Sequence, residues 1–113
     1  MAGEDQRKTP HLLLQNGVLL DFGPGATWIV GRATPQTTVD IDLMPHGGTE
    51  CGVSRQHIRI GKQGDDFTIE DLKSRNETVL NRARLLSGQC YPLVDGDRLF
   101  LGALQVIFVL SAQ

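Results

Sequence analysis

From His11 onward, short apolar runs alternate with clusters of turn-forming residues. Leu12-Leu13-Leu14 and Val18 to Phe22 flank Gln15-Asn16-Gly17, and Asn-Gly between apolar runs predicts a hairpin because both residues accept positive φ. Thr27-Trp28-Ile29-Val30 is β-branched and aromatic and predicts a strand that ends at Gly31-Arg32. Val39 to Leu43 alternates apolar with acidic residues, the period of a half-buried strand. Met44 to Gly52 carries Pro45, Gly47, Gly48 and Gly52, which predicts a loop and excludes a helix. Ile58 with Ile60, and Phe67 with Ile69, predict two strands joined by a hairpin loop over Lys62 to Asp66. Val79-Leu80-Asn81 predicts a brief strand, and Tyr91 to Val94 another, which Pro92 confines to a sheet edge. Asp95-Gly96 turns the chain into Arg98-Leu99-Phe100-Leu101. The last run, Leu104 to Leu110, has Leu104, Val106, Phe108 and Leu110 on one face and Gln105, Ile107 and Val109 on the other. That pattern predicts a covered strand or a face presented to a neighbour.

No window has the i, i+3, i+4, i+7 spacing of an amphipathic helix. Roughly ten short strands punctuated by Gly and Pro predict an all-β chain, an antiparallel β-sandwich or barrel whose function lies in loops at one end. Residues 1–10 are polar and lack a hydrophobic period, so they are expected to form a flexible tail before a folded domain over 11–113.

Composition narrows the function. At 113 residues the chain is the size of one domain, and 40% hydrophobic with 21% charged residues is ordinary for a globular protein. A net charge of −2 argues against nucleic acid or an anionic membrane as main partner, since both require a broad basic face. A local basic site remains compatible. With no leader and no apolar run of membrane-spanning length, a cytoplasmic location is expected. Cys51 and Cys90 are then expected as reduced thiols.

Polar chemistry concentrates in three places: Gly31-Arg32, Gly52-Val53-Ser54-Arg55-Gln56-His57, and Ser74-Arg75-Asn76-Glu77-Thr78. The guanidinium forks of Arg32, Arg55 and Arg75 suit phosphate or a peptide carbonyl, Ser54 adds a hydroxyl donor, and Asn76 both donates and accepts. Taken singly, each of these residues is better explained as part of a solvated turn than as a ligand contact. Ser54, His57 and Asp71 do not make a hydrolase, because Gly52 to Gln56 lacks the second glycine and following helix of a nucleophile elbow. His46, Cys51 and His57 match no zinc spacing, and neither Gly47-Gly48 nor Gly23-Pro24-Gly25 is followed by the lysine of a nucleotide loop. No catalytic centre, metal site or cofactor is expected.

The order of these segments, continued by Asp71 to Asn81 and Leu93 to Gly102, resembles the forkhead-associated (FHA) domain over about residues 12 to 110. The resemblance implies a sandwich of about eleven strands whose loops bind phosphothreonine peptides, as a non-catalytic recognition module in Ser/Thr kinase signalling. By that resemblance Arg32 and Ser54 contact the phosphate or its adjacent backbone, Arg55 and Arg75 add donors, and Asn76 holds the peptide main chain. Gly31, His57 and Asn81 support the site without touching ligand. Two departures stand out. Glu77 occupies a position usually taken by glycine, where positive φ costs a non-glycine residue about 1 kcal/mol and a carboxylate turned toward the pocket repels phosphate. Arg82 likewise replaces a common glycine, and Arg82 or Arg84 offers compensation for Glu77. The alternative is an FHA-like scaffold that binds unmodified protein surfaces or self-associates through the outer face of Ile107 and Val109. Thr9-Pro10 is read first as part of the unstructured tail, with phosphorylation and binding to the pocket of the same or another copy as the minor alternative.

Overall fold

The computed structural model describes residues 8–112. Eleven strands form two sheets. The first sheet orders β2 (Leu19–Asp21), β1 (Lys8–Leu14), β11 (Leu104–Ala112), β10 (Arg98–Leu101), β7 (Thr78–Leu80) and β8 (Ala83–Arg84). The second orders β4 (Ile41–Asp42), β3 (Thr27–Gly31), β5 (Gln56–Gln63), β6 (Asp66–Asp71) and β9 (Cys90–Leu93). The all-β sandwich expected from the sequence is therefore present, with one exception to its antiparallel pairing: β4 runs parallel to β3, with Val30 opposite Ile41.

Alternation puts one face of each strand inside. Leu12 and Leu14, Val106 and Phe108, and Leu99 and Leu101 come from the first sheet; Trp28 and Val30, Ile58 and Ile60, and Phe67 and Ile69 come from the second. Toward one end, Phe22, Trp28, Phe67 and Phe108 pack with ring centroids 5.0–6.4 Å apart, at edge and offset geometries that favour aromatic pairs. The opposite end is different. The buried polar residues among those described are His57, Asp71 and Thr78, and all three lie behind the loops where β3, β6 and the chain entering β5 and β7 meet.

Several expectations are corrected. Lys8, Thr9 and Pro10, assigned to the tail, are strand, paired with Ala112, Ser111 and Leu110; residues 1–7 lie outside the described residues. The hairpin at Gln15-Asn16-Gly17 forms, but only Gly17 has positive φ, at 91°. Leu14 N–H donates to Val18 O and Gly17 N–H to Leu14 O, closing a loop of three residues. The strand expected over Val39 to Leu43 shrinks to Ile41–Asp42, because the Asp40 carboxylate, instead of the ladder, accepts from Ile29 N–H at 2.7 Å. The Met44 to Gly52 loop contains one 3-10 turn, Met44–His46. Strands β5 and β6 extend until only Gly64 and Asp65 separate them. Pro92 does lie on an edge strand, β9, while Val94 falls outside it and is exposed. Cys51 and Cys90 are unpaired thiols. No helix among the described residues is long and apolar enough to cross a membrane.

Candidate phosphate-binding cleft

Strand β3 ends against the loop that leads into β5, and the approach is closer than any side chain permits. A Cβ on Gly31 would overlap the carbonyls of Arg55 and Ser54. The pairing of β3 with β5 shifts register between Val30 and Gly31, and Arg32 N–H then donates to Ser54 O and Arg55 O at 3.2 and 3.0 Å. Arg32 Nε donates to Val53 O at 3.0 Å, which fixes the guanidinium and leaves its outer nitrogens toward the cleft. The Asp42 carboxylate secures the other side by accepting from Ala33 and Met44 N–H, each at 2.9 Å.

The loops on either side of the cleft are tied directly. Ser54 Oγ accepts from Arg75 N–H at 2.9 Å, so its own hydrogen remains for a third group. Asn76 Nδ2 donates to Gly52 O at 2.9 Å, which leaves Oδ1 as acceptor. Gly52 has φ of 80°, and a Cβ there would strike the Asn76 amide. The resulting cleft, about 460 Å³, is lined by Arg32, Thr49, Gly52, Val53, Ser54, Arg55, Lys73, Arg75 and Asn76. All five residues proposed from the sequence as ligand contacts meet in it. Its four cations face no lining carboxylate, so the site suits a dianion with several acceptor oxygens.

Two features went unseen in the sequence. Lys73 lines the cleft at φ of 58°, a left-handed conformation unusual for lysine; its only signal was its place just before Ser74-Arg75-Asn76. Asp71, considered only as part of a hydrolase, is instead the anchor of this loop. Its Oδ2 accepts from Ser74 N–H at 3.1 Å, and its two oxygens accept hydroxyl hydrogens from Ser74, Thr78 and Ser87. Burial alone would raise its pKa, but the hydroxyls of Ser74, Ser87 and Thr78 and the Ser74 amide outweigh burial and hold it below the ordinary carboxylate value. His57 does not take up the place of a base on the Ser54 hydroxyl: its Nδ1 accepts from Ser54 N–H, while Ser54 Oγ accepts from Arg75 N–H.

His57, fully buried, bridges the two loops. Nδ1 accepts from Ser54 N–H at 3.0 Å and Nε2–H donates to Glu77 O at 2.9 Å, which requires the neutral ring. Burial pushes its pKa below the usual value near 6.5, against the opposing pull of the Glu77 carbonyl and the Asp71 charge. A lowered histidine pKa means that the unfolded chain binds more protons, so stability falls as pH drops below about 6.5 toward the folded-state value. Asp71 adds its loss only at lower pH, below the carboxylate value near 3.9. Urea midpoints measured from pH 7 to pH 5 are therefore expected to decline, with loosening of the Ser54 amide in hydrogen exchange; a flat or rising profile contradicts the neutral bridge.

Glu77 has φ of 69°, the strained conformation expected for a residue in glycine's place. Its carboxylate is not in the cleft. It meets Arg84 Nη1 at 3.2 Å, on the exposed outer side, which corrects the expected repulsion and identifies Arg84 as the compensating residue. Glu77→Gly is expected to stabilise the chain by about 0.5–1 kcal/mol, because relief of strain exceeds the loss of an exposed ion pair. Phosphopeptide affinity should stay within about threefold, less than 1 kcal/mol. A lower denaturation midpoint would overturn this assignment. Asn81, also at positive φ, donates to Asp97 and accepts from Arg98 N–H; it secures β7 to β10 and touches no residue lining the cleft. Among the described residues no group of His, Cys, Asp and Glu is placed to hold a metal.

The FHA domain family model matches residues 28–102. An FHA domain-containing protein of Arabidopsis thaliana is 34% identical over 107 residues, covering 89% of this chain and 26% of that protein. A structure solved in a study of phosphothreonine-dependent FHA domain interactions is 27% identical, covers 93% of this chain and 99% of its own, and superposes with a TM-score of 0.73. EmbR of Mycobacterium tuberculosis, solved with a low-affinity phosphopeptide, is 28% identical with a TM-score of 0.73, covering all of this chain and 27% of that one. The chain spans about a quarter of the length of the curated relatives it matches.

Proposed function

The chain belongs to the FHA-domain family, and on that premise we propose that it is a phosphothreonine-peptide recognition module, with no chemistry of its own, that serves Ser/Thr kinase signalling inside the cell. The observation that carries this reading is a cleft whose four cations and tethered Ser54 and Asn76 face no carboxylate. Arg32 and Ser54 hold the phosphate, Arg55, Arg75 and the newly found Lys73 add charge, and Asn76 Oδ1 accepts from the peptide main chain. The methyl group of the exposed Thr49 provides the apolar contact that favours threonine over serine, whereas the Val53 side chain is buried in the core. Gly31 and His57 shape the loops, and Asn81 supports them at one remove.

The energetics suit a reversible switch. A phosphothreonine brings about −1.5 to −2 charges and three acceptor oxygens. Charge-assisted hydrogen bonds of roughly 1.5–3 kcal/mol each, less the cost of ordering a peptide, leave about −8 kcal/mol, a micromolar affinity. The partner is then a protein bearing phosphothreonine in a flexible segment.

Self-association or binding of an unmodified surface keeps one supporting feature, the ladder of Leu19, Leu13 and Ile107 across the outer face of the first sheet. Leu19 is 52% exposed there. The experiment that separates the two readings is competition: inorganic phosphate and salt should displace a bound phosphothreonine peptide from the cleft. Binding indifferent to both assigns the partner to the sheet face instead.

A further inference from the structure

Deepening that reading, we propose that Ser87 is a phosphorylation site for an arginine-directed Ser/Thr kinase and that its modification disarms the peptide cleft. Two of the chain's Ser and Thr residues have an arginine three positions before them, Thr78 after Arg75 and Ser87 after Arg84. Thr78 is fully buried. Ser87 is exposed, in a loop between the two-residue strand β8 and the edge strand β9. Arg82 lies five positions before it, and both arginines are exposed, a charge pattern suited to an acidic kinase cleft. β8 has two paired positions with β7, and Leu85 after it is buried and bonded to Thr78 O, so the opening that presents Ser87 is confined to the exposed residues 86–89 beyond that anchor.

The hydroxyl is not idle in the resting chain. Ser87 Oγ–H donates to Asp71 Oδ2, the same oxygen that accepts from Ser74 N–H, and Gly88 N–H donates to Asp71 O. Asp71 in turn holds Ser74 and Thr78, the two residues that bracket Arg75, Asn76 and Glu77. Transfer of the γ-phosphoryl group from a nucleoside triphosphate forms an O–P bond at Ser87 Oγ. The bond from the γ-phosphorus to its bridging oxygen breaks, the nucleoside diphosphate leaves, and the hydroxyl proton passes to the kinase's base. The product has no hydrogen to donate and brings a dianion against a buried carboxylate, which expels the 86–89 loop by repulsion. The new phosphate also competes with Glu77 for Arg84, 64% exposed and 3.2 Å from the Glu77 carboxylate. Both changes slacken the segment that presents Lys73, Arg75 and Asn76.

The whole chain is incubated with magnesium ATP and a purified arginine-directed kinase, beside Ser87→Ala. Mass spectrometry should find one phosphate, on Ser87, and none on the variant. Hydrogen exchange over 72–77 should quicken after modification, and affinity for a phosphothreonine peptide should fall at least about tenfold, more than it falls in Ser87→Ala. Absence of phosphate on Ser87 overturns the inference, as does a phosphorylated chain with unchanged exchange and affinity. Should the unmodified chain bind no phosphothreonine peptide, the functional reading fails while mass spectrometry and exchange still decide the Ser87 assignment.

Discussion

Arg32→Ala is expected to weaken phosphothreonine-peptide binding by more than about a hundredfold while the chain stays folded. The loss corresponds to about 3 kcal/mol, one or two charge-assisted bonds from a guanidinium to phosphate. Arg32 is singled out among the four cations because its head is already fixed by the bond from Nε to Val53 O. A pre-positioned fork loses little entropy on binding, whereas the exposed Arg55, Lys73 and Arg75 must be ordered by the ligand. Substituting any one of those three should therefore weaken binding less. The fold should survive because the backbone N–H of residue 32, which alanine retains, makes the bonds to Ser54 O and Arg55 O. Calorimetric titration of wild type and variant, with circular dichroism to confirm folding, checks this. Unchanged affinity would remove Arg32 from the site.

The second large effect falls on Gly31→Ala, and it should lower stability and binding together. Gly31 has ordinary negative φ, so the objection to alanine is space alone: the added methyl would meet the Arg55 and Ser54 carbonyls, backbone atoms that cannot swing aside. Overpacking of this kind costs about 2–3 kcal/mol. In a domain of about 100 residues that corresponds to a fall of at least about 10 °C in Tm. Relief by moving the loop displaces Ser54 and Arg55, so affinity falls in whatever remains folded. Gly64→Ala is the control. At φ of 64° with nothing within 4 Å of the added atom, it is strained but not obstructed and should cost only about 1 kcal/mol with no loss of binding. Equal effects of the two variants would contradict the steric account.

The parts of the fold legible in the sequence were those where burial dictates pattern. Ile58 with Ile60, and Phe67 with Ile69, alternate because their strands have one face in the core. Strand β8 left no such trace, since Ala83 and Arg84 are both exposed and owe their conformation to backbone pairing with β7. The start of β1 at Lys8 was hidden likewise, its strand character supplied by Leu110 to Ala112 a hundred residues away. The parallel pairing of β3 and β4 lies in no local pattern either.

The cleft was more legible than these edges. Arg32, Ser54, Arg55, Arg75 and Asn76 stand in two polar loops and at a strand end where apolar residues are missing, and the order of those segments carried the family resemblance. Polar residues whose task is to hold other residues were harder to interpret. Asp71 is a carboxylate followed by hydroxyl residues, and nothing in one sequence distinguishes a loop anchor from a catalytic acid. Only its burial and the three hydroxyls converging on it do so. Glu77 shows the converse: its strain was foreseeable from the glycine it replaces, while the turn of its carboxylate toward Arg84 depends on how the chain folds back at β8.

Phosphothreonine recognition is tested most directly by calorimetric titration of the chain with one peptide in three forms, carrying phosphothreonine, phosphoserine or unmodified threonine. Phosphothreonine recognition predicts micromolar binding of the first, weaker binding of the second and none of the third. Equal binding of the unmodified peptide would contradict it.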